Sequence, residues 1–161
     1  ARDLARANSE LQKLYAFSEN KKITDADVKA LVAPDTEFQI YELTNALSRG
    51  DNKKVLAVYN ALLARGEKGA TLLSLLENQY RRVFHTALNQ GKRDEEIAAY
   101  FGVKPYSVKV ARDVAARYTQ QSLKKIVDML TELEYSFKSG KMTDTEAVDY
   151  AVSYLIKKEK N

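Results

Sequence analysis

The sequence predicts an all-α protein, with a small helical segment followed by a larger helical bundle. The 161 residues include only two prolines and six glycines. Long stretches of Ala, Leu, Glu, Lys and Gln, all strong helix formers, lie between these breakers. Apolar side chains recur at three- and four-residue spacing, which is the period of one helix face. No segment is predicted to be a strand, and no internal repeat of fixed period is found.

The first predicted helix extends to about residue 18. Its apolar side chains follow the helical period and are Leu4, Ala7, Leu11, Leu14 and Tyr15. A shorter helix follows, with Thr24 and Asp27 placed as a capping box at its start. Three of its side chains are predicted to face inward, namely Val28, Leu31 and Val32. Pro34 then marks a break, and we place a domain boundary there, between residues 1–33 and 34–161.

Two helices joined by a tight glycine turn follow this boundary. The first runs from about residue 36 to 48 and ends at Gly50. Its inward side chains are Ile40, Leu43, Thr44 and Leu47. Asp51 or Asn52 caps the second helix, which ends before Gly66. The apolar stripe of the second helix consists of Val55, Leu56, Tyr59, Leu62 and Leu63.

The longest predicted helix covers about residues 70–90 and should be the spine of the bundle, because its apolar stripe spans roughly five turns. The stripe consists of Leu72, Leu73, Leu76, Tyr80, Val83, Phe84, Ala87 and Leu88. The opposite, polar face carries Ser74, Asn78, Arg81, Arg82, His85 and Asn89. Adjacent arginines on an exposed face pair well with carboxylates of another chain. Arg81, Arg82 and His85 are therefore a candidate subunit interface.

The segment 95–118, EEIAAYFGVKPYSVKVARDVAARY, has the pattern of a helix-turn-helix. Gly102 is placed at the turn, and Pro105 suits the first turn of the second helix. A DNA-reading role is one interpretation, in which the contacts to phosphate are Lys109, Arg112 and Arg117. Tyr106 is bulky for a groove-reading position, however, and Asp113 would repel phosphate. Two packed helices joined by a glycine turn are also a common structural arrangement.

Two further helices are predicted after Thr119. The first continues to Gly140 and carries the apolar side chains Leu123, Ile126, Val127, Leu130, Leu133 and Phe137. Thr143 caps the last helix. The inward side chains of that helix are Ala147, Val148, Ala151 and Leu155.

The composition excludes several kinds of active site. The absence of cysteine rules out disulfides, thiolate zinc sites and cysteine nucleophiles. His85 is the single histidine and lies near two arginines, which disfavours a metal site, and one histidine leaves little scope for a catalytic triad. The carboxylates at 94–96, Asp25 and Asp27 lie in first helical turns, where the helix dipole stabilises negative charge. No catalytic, metal-binding or cofactor-binding residue is predicted.

Net charge and hydropathy limit the cellular locations and the kinds of partner that we expect for this protein. The net charge of +4 is spread along the chain, which permits contact with nucleic acid without implying it. No apolar run approaches the ~20 residues of a membrane-spanning helix, and the charged N-terminus has no signal-peptide core. We expect a cytoplasmic protein without a membrane partner. Because the chain begins without methionine inside a predicted helix, we also expect a longer parent polypeptide.

Several sequence segments, taken in their order along the chain, resemble the delta family of bacterial DNA polymerase III clamp loaders. The phrases are SELQKLYAF, KKITDADVKALV, FQIYELTNALSRGD, LLARGE, LLSLLENQYRRVF, EEIAAYFGVKPYSVKVAR and LEYSFKSGK. They occur in family order through nearly the whole chain. One departure is visible, since Lys68 and Gly69 stand where the family often has prolines, which predicts a more flexible turn.

The resemblance implies a C-terminal portion of such a subunit, in which residues 1–33 finish the helical lid of an AAA+ module and residues 34–161 form a helical collar. It implies partners as well. The collar would join other clamp-loader subunits, and the sliding clamp would be reached only through a preceding domain. It also implies a noncatalytic accessory subunit of the polymerase holoenzyme, with DNA contact at most non-specific. A helix-turn-helix regulator and a generic helical scaffold are the alternatives.

Overall fold

A computed structural model of the chain describes residues 2–18, 22–25, 27–28 and 36–158, and within these ranges the fold is all-α, as predicted. The chain separates into two compact units, Ala1–Asp35 and Thr36–Asn161. In the described part of the chain, no helix combines the length and the apolar character needed to cross a membrane.

The first unit contains helix α1, Arg2–Ser18, and the predicted capping box. Asp27 Oδ2 accepts hydrogen bonds from the backbone N of Thr24 at 2.8 Å and from its Oγ1 at 2.7 Å. These bonds stabilise the carboxylate and lower the pKa of Asp27. The inward orientation predicted for Val28 is wrong, because 39% of this side chain is exposed. Leu31 and Val32 lie outside the described residues.

The second unit contains seven described helices, close to the predicted positions. They are α2 (Thr36–Ser48), α3 (Asn52–Ala64), α4 (Gly69–Leu88), α5 (Asp94–Phe101), α6 (Pro105–Ala115), α7 (Gln120–Lys138) and α8 (Asp144–Lys158). The predicted caps are present. Asp51 accepts from the backbone N of Lys54, and Thr119 accepts from that of Ser122. Thr143 forms a capping box with Glu146, which lowers the pKa of that carboxyl group.

Helix α4 is the spine of this unit, as its apolar stripe predicted. It packs against α2, α6, α7 and α8, and its buried apolar side chains are Leu72, Leu73, Leu76, Tyr80, Val83 and Ala87. Fully burying one such large side chain contributes about 1.5–3 kcal/mol. Two predicted core positions are wrong, because Leu88 is 53% exposed and Leu56 of α3 is also exposed. Leu88 is the last residue of α4.

The start of α4 lies directly against the start of α8. The backbone N of Ala70 donates to Asp144 Oδ2 at 3.0 Å, so a side chain from α8 satisfies a free N–H group of α4. A Cβ atom on Gly69 would lie 2.5 Å from the carbonyl oxygen of Asp144 and 2.9 Å from the backbone N of Thr145. Gly69 therefore belongs to a tight helix crossing, which is a packing role rather than the predicted role in turn flexibility.

Helices α5 and α6 carry a small apolar cluster separate from the main core. Its buried members are Ile97, Ala98 and Val108, with Phe101 and Val103 packed against them. Gly102 joins the two helices at φ 63°, the left-handed conformation that glycine adopts most easily. Pro105 occupies the first position of α6, as predicted. Further along α6, Ala111 and Val114 belong to the main core.

Candidate interaction surface

The candidate residues Arg81, Arg82 and His85 all lie on α4, but their side chains take two directions. Arg81 is held on the α7 side. Its guanidinium forms a 2.6 Å ion pair with Glu77, whose side chain is 6% exposed. Thr131 of α7 donates to the same Glu77 carboxylate at 3.1 Å and is reached by Arg81 at 3.4 Å. Arg81 therefore neutralises a buried carboxylate at the junction of α4 and α7.

A second carboxylate belongs to the same junction. The pKa of Glu134 on α7 is lowered, first by its hydrogen bond with Lys138 and then by a hydrogen bond with Glu77. Lys138 Nζ lies 2.8 Å from Glu134 Oε1, so the negative charge of the carboxylate is stabilised by a cation one turn away. The sequence analysis did not identify this network, because Glu77 was not assigned to either face of the long helix.

Arg82 turns toward α2 and α5. Its Nη1 donates to the hydroxyl oxygen of Tyr41 at 2.5 Å and to Gln79 Oε1 at 3.1 Å. The guanidinium also lies 5.7 Å from the ring centroid of Tyr41 and 6.0 Å from that of Phe101. Both distances are within the range in which a cation is attracted by the face of an aromatic ring.

His85 stacks on the neighbouring helix α5. Its ring lies parallel to Tyr100, with centroids 4.7 Å apart and an interplanar angle of 6°. It meets Phe101 edge-on at 5.1 Å, and Tyr100 meets Phe101 in the same manner at 5.0 Å. Tyr100 remains 73% exposed. We call the five residues Tyr41, Arg82, His85, Tyr100 and Phe101 the aromatic platform.

Helix α4 also carries polar atoms without hydrogen-bond partners. They are Gln79 Nε2, Arg82 Nε, His85 Nδ1 and Thr86 Oγ1, each buried from solvent. Leaving such a group unpaired costs about 1–3 kcal/mol. Arg82 and His85 belong to the platform itself, whereas Thr86 faces α6, where it lines a cleft with Arg112 and Ala115.

The three candidate DNA contacts on α6 are not equivalent. Lys109 is exposed. Arg112 donates to Asp94 at 2.6 Å and to the backbone carbonyl oxygens of Gln90 and Lys92, so it attaches α6 to the start of α5. Arg117 donates to the carbonyl oxygen of Asp113 at 3.0 Å and to Ser48 Oγ at 3.3 Å. The contact of these residues with DNA stays a prediction.

The structure assigns helix-capping and ion-pair contacts to several acidic residues considered in the sequence. Asp94, for example, pairs with Arg112, and Glu96 pairs with Arg93 at 3.0 Å. In the part of the chain that the structure describes, no cluster of three or more His, Asp or Glu side chains is placed to hold a metal ion.

Sequence reasoning identified two of the five platform residues. Tyr41, Phe101 and Tyr100 were missed, since none of them was assigned to an apolar stripe or to a candidate site. One signal was available, because three aromatic side chains in α2 and α5 stand at helical-surface positions without a place in an apolar stripe. They are Phe38, Tyr41 and Tyr100, and Phe38 and Tyr100 are exposed in the structure.

Comparisons with known proteins agree on one family. The family model of the DNA polymerase III delta subunit, C-terminal domain, matches residues 37–155. DNA polymerase III subunit delta of Bacillus subtilis (strain 168) is 32% identical over 156 residues, covering 94% of this chain and 45% of that protein. The solved structure of the Bacillus subtilis DNA clamp loader delta protein has a TM-score of 0.82 and 31% identity, covering 92% and 45% of the two chains. The chain thus spans about half the length of these relatives.

These matches confirm the resemblance inferred from the order of the sequence phrases, and the fold agrees with it. The chain belongs to the family of the DNA polymerase III delta subunit, C-terminal domain.

Proposed function

We propose that this chain is an assembly module of a bacterial DNA polymerase III clamp loader. Residues 34–161 act as a collar that joins other clamp-loader subunits, and residues 1–33 complete a helical lid. The complex acts in the cytoplasm, where it places the sliding clamp on DNA during replication. Family membership and the name of the Bacillus subtilis relative, a DNA clamp loader delta protein, support this role.

The aromatic platform is the observation that carries an assembly role for this unit. Exposed tyrosines next to arginine are enriched at protein interfaces, where they supply large contact areas at low entropic cost. Tyr100 is largely exposed although its ring stacks on His85. An aromatic side chain that is already stacked in the free protein loses less freedom when a partner covers it.

The proposed module is noncatalytic and neither binds nor hydrolyses ATP by itself. Its acidic and basic side chains take part in helix caps and ion pairs, such as Thr143 with Glu146 and Glu77 with Arg81. Gly66 lies in the turn between α3 and α4 and Gly69 starts α4, but this segment joins two helices and lacks the spacing of a phosphate-binding loop. The sliding clamp would be contacted by another domain of the subunit.

Mixing the chain with the remaining loader subunits of its own organism, followed by native mass spectrometry, tests this function. We expect complexes of defined stoichiometry. A stably folded chain that forms none would contradict the proposal and leave a generic helical scaffold. Sequence-selective duplex binding that is lost on Lys109→Glu would instead support a helix-turn-helix regulator.

A further inference from the structure

We propose that the aromatic platform is the docking surface for a carboxylate-bearing helix or segment of a neighbouring loader subunit, with Tyr100 as its central anchor. This inference rests on the proposed function and specifies which face of the module meets a partner. It also specifies the chemistry of that partner, an acidic side chain beside an apolar one.

The charges of the surface favour an acidic partner. The platform contains two basic side chains, Arg82 and His85, and no carboxylate. Within the described residues, no acidic group forms a hydrogen bond or an ion pair with either of them. The acid nearest along α2, Glu42, is paired with Lys54 at 3.1 Å. Because the acceptors bonded to Arg82 are neutral oxygens, the surface is complementary to a carboxylate brought by another chain.

The apolar surroundings favour a partner that also brings an apolar side chain. Leu88 lies one turn after His85 on α4 and is 53% exposed, and Phe38 lies one turn before Tyr41 on α2 and is exposed as well. These side chains stand beside the platform on the same two helices. Interfaces commonly combine such a central aromatic anchor with an apolar border that excludes water.

The unpaired polar atoms of the platform give docking a further source of free energy. Arg82 Nε and His85 Nδ1 are buried and lack hydrogen-bond partners. Both side chains contact Phe101, and His85 also stacks on Tyr100. An incoming carboxylate would offer the partly exposed Arg82 side chain an ionised acceptor in place of the neutral oxygens of Tyr41 and Gln79 that it bonds now. Hydrogen bonds between ionised groups are shorter and stronger than neutral ones, so this exchange favours the bound state.

Substitution of Tyr100 tests the surface, with Tyr106 as a matched control. Tyr106 is a tyrosine of nearly equal exposure, 71%, at the second position of the next helix, and it is not a platform residue. Binding to the other loader subunits is measured by isothermal titration calorimetry for the wild-type chain, Tyr100→Ala and Tyr106→Ala. We expect roughly tenfold weaker binding or more for Tyr100→Ala and unchanged binding for Tyr106→Ala. Circular dichroism checks that both variants remain folded.

The sign of the partner's charge is tested at the same position. Tyr100→Glu should bind more weakly than Tyr100→Arg, because only the glutamate repels a carboxylate, and added salt should reduce this difference. The opposite order would overturn the proposal of an acidic partner.

Binding of a fluorescent single-stranded oligonucleotide tests whether the platform binds nucleic acid instead. If Tyr100→Ala weakens oligonucleotide binding and leaves subunit binding intact, the platform is a base-stacking site and the proposal is overturned.

The outcome of the wild-type titration separates the two proposals. If the wild-type chain binds the other subunits and Tyr100→Ala binds equally well, the docking surface is refuted while the assembly function stands. If the wild-type chain binds no loader subunit, the proposed function fails, and the role of this surface fails with it.

Discussion

At the scale of single residues, Gly69 shows how packing restricts side-chain choice. It is buried at the first position of α4, where the backbone of Asp144 approaches so closely that a methyl group has no space. Asp144 at the same time accepts a hydrogen bond from Ala70. The glycine lets the two helix starts approach, and the approach allows one helix to cap the other.

Gly69→Ala should destabilise the protein by about 1–3 kcal/mol, because the new Cβ must displace the backbone at the start of α8. Chemical denaturation with urea measures the change. Gly91→Ala is the matched control, since no atom lies within 4 Å of the Cβ position and its backbone is not in the left-handed region. We expect that variant to be neutral or slightly stabilised. Equal stability of the two variants would show that α8 yields easily at this crossing.

At the scale of helices, α5 and α6 depend on Arg112 for their relative position. Their shared apolar cluster is small, with three buried residues, so polar contacts carry more of the local stability. Arg112 supplies three of them, to Asp94 and to the carbonyl oxygens of Gln90 and Lys92. The helix-turn-helix pattern therefore contains a residue whose guanidinium connects the motif internally.

Arg112→Ala should weaken this helix pair by roughly 1.5–3 kcal/mol, the usual range for hydrogen bonds to charged groups. Faster amide hydrogen exchange in α5 would report the loss. Lys109→Ala, one turn earlier on the exposed face of α6, serves as the control and should leave exchange unchanged. If both substitutions reduce binding to duplex DNA equally and neither alters exchange, Arg112 acts as a surface cation and our structural interpretation is wrong.

At the scale of the whole molecule, the second unit has two apolar cores of unequal size. The large core surrounds α4 and includes side chains from α2, α3, α6, α7 and α8. The small one belongs to α5 and α6 alone. Free energies of local opening follow the apolar surface that each region buries. The platform residues Tyr100 and Phe101 lie on α5, so the candidate docking surface includes part of the less stable region.

We expect native-state hydrogen exchange to show this difference in local stability between α5 and α4. The backbone amides of Ala98 and Phe101 in α5 should open with a lower free energy than those of Leu76 and Tyr80 in α4, and with a weaker dependence on urea. The reason is that α5 can detach without exposing the large core. Identical opening free energies and urea slopes at all four positions would show that the unit unfolds as a single cooperative block.

Most of the fold was accessible from local sequence rules. Helix positions, the glycines that end helices and the side-chain caps depend on residues three or four positions apart. They can therefore be predicted from short stretches of sequence. Asp51, Thr119 and Thr143 cap as expected, and α4 is the central helix. The wrong positions are Val28, Leu56 and Leu88. Helical periodicity identifies an apolar stripe, but it does not identify which members of the stripe another helix covers.

Contacts between residues far apart in sequence determine the features that local sequence rules did not predict. The composition and the apolar period were sufficient for an all-α protein, and the order of its phrases was sufficient for its family. The grouping of Arg82 and His85 with Tyr41, Tyr100 and Phe101 required the folded chain, because these residues come from three helices up to 60 positions apart. The separation of Arg81 from Arg82 required it too, since each arginine turns toward a partner on a different helix. Sequence spacing places side chains on one helix face, whereas packing between helices selects the groups they contact.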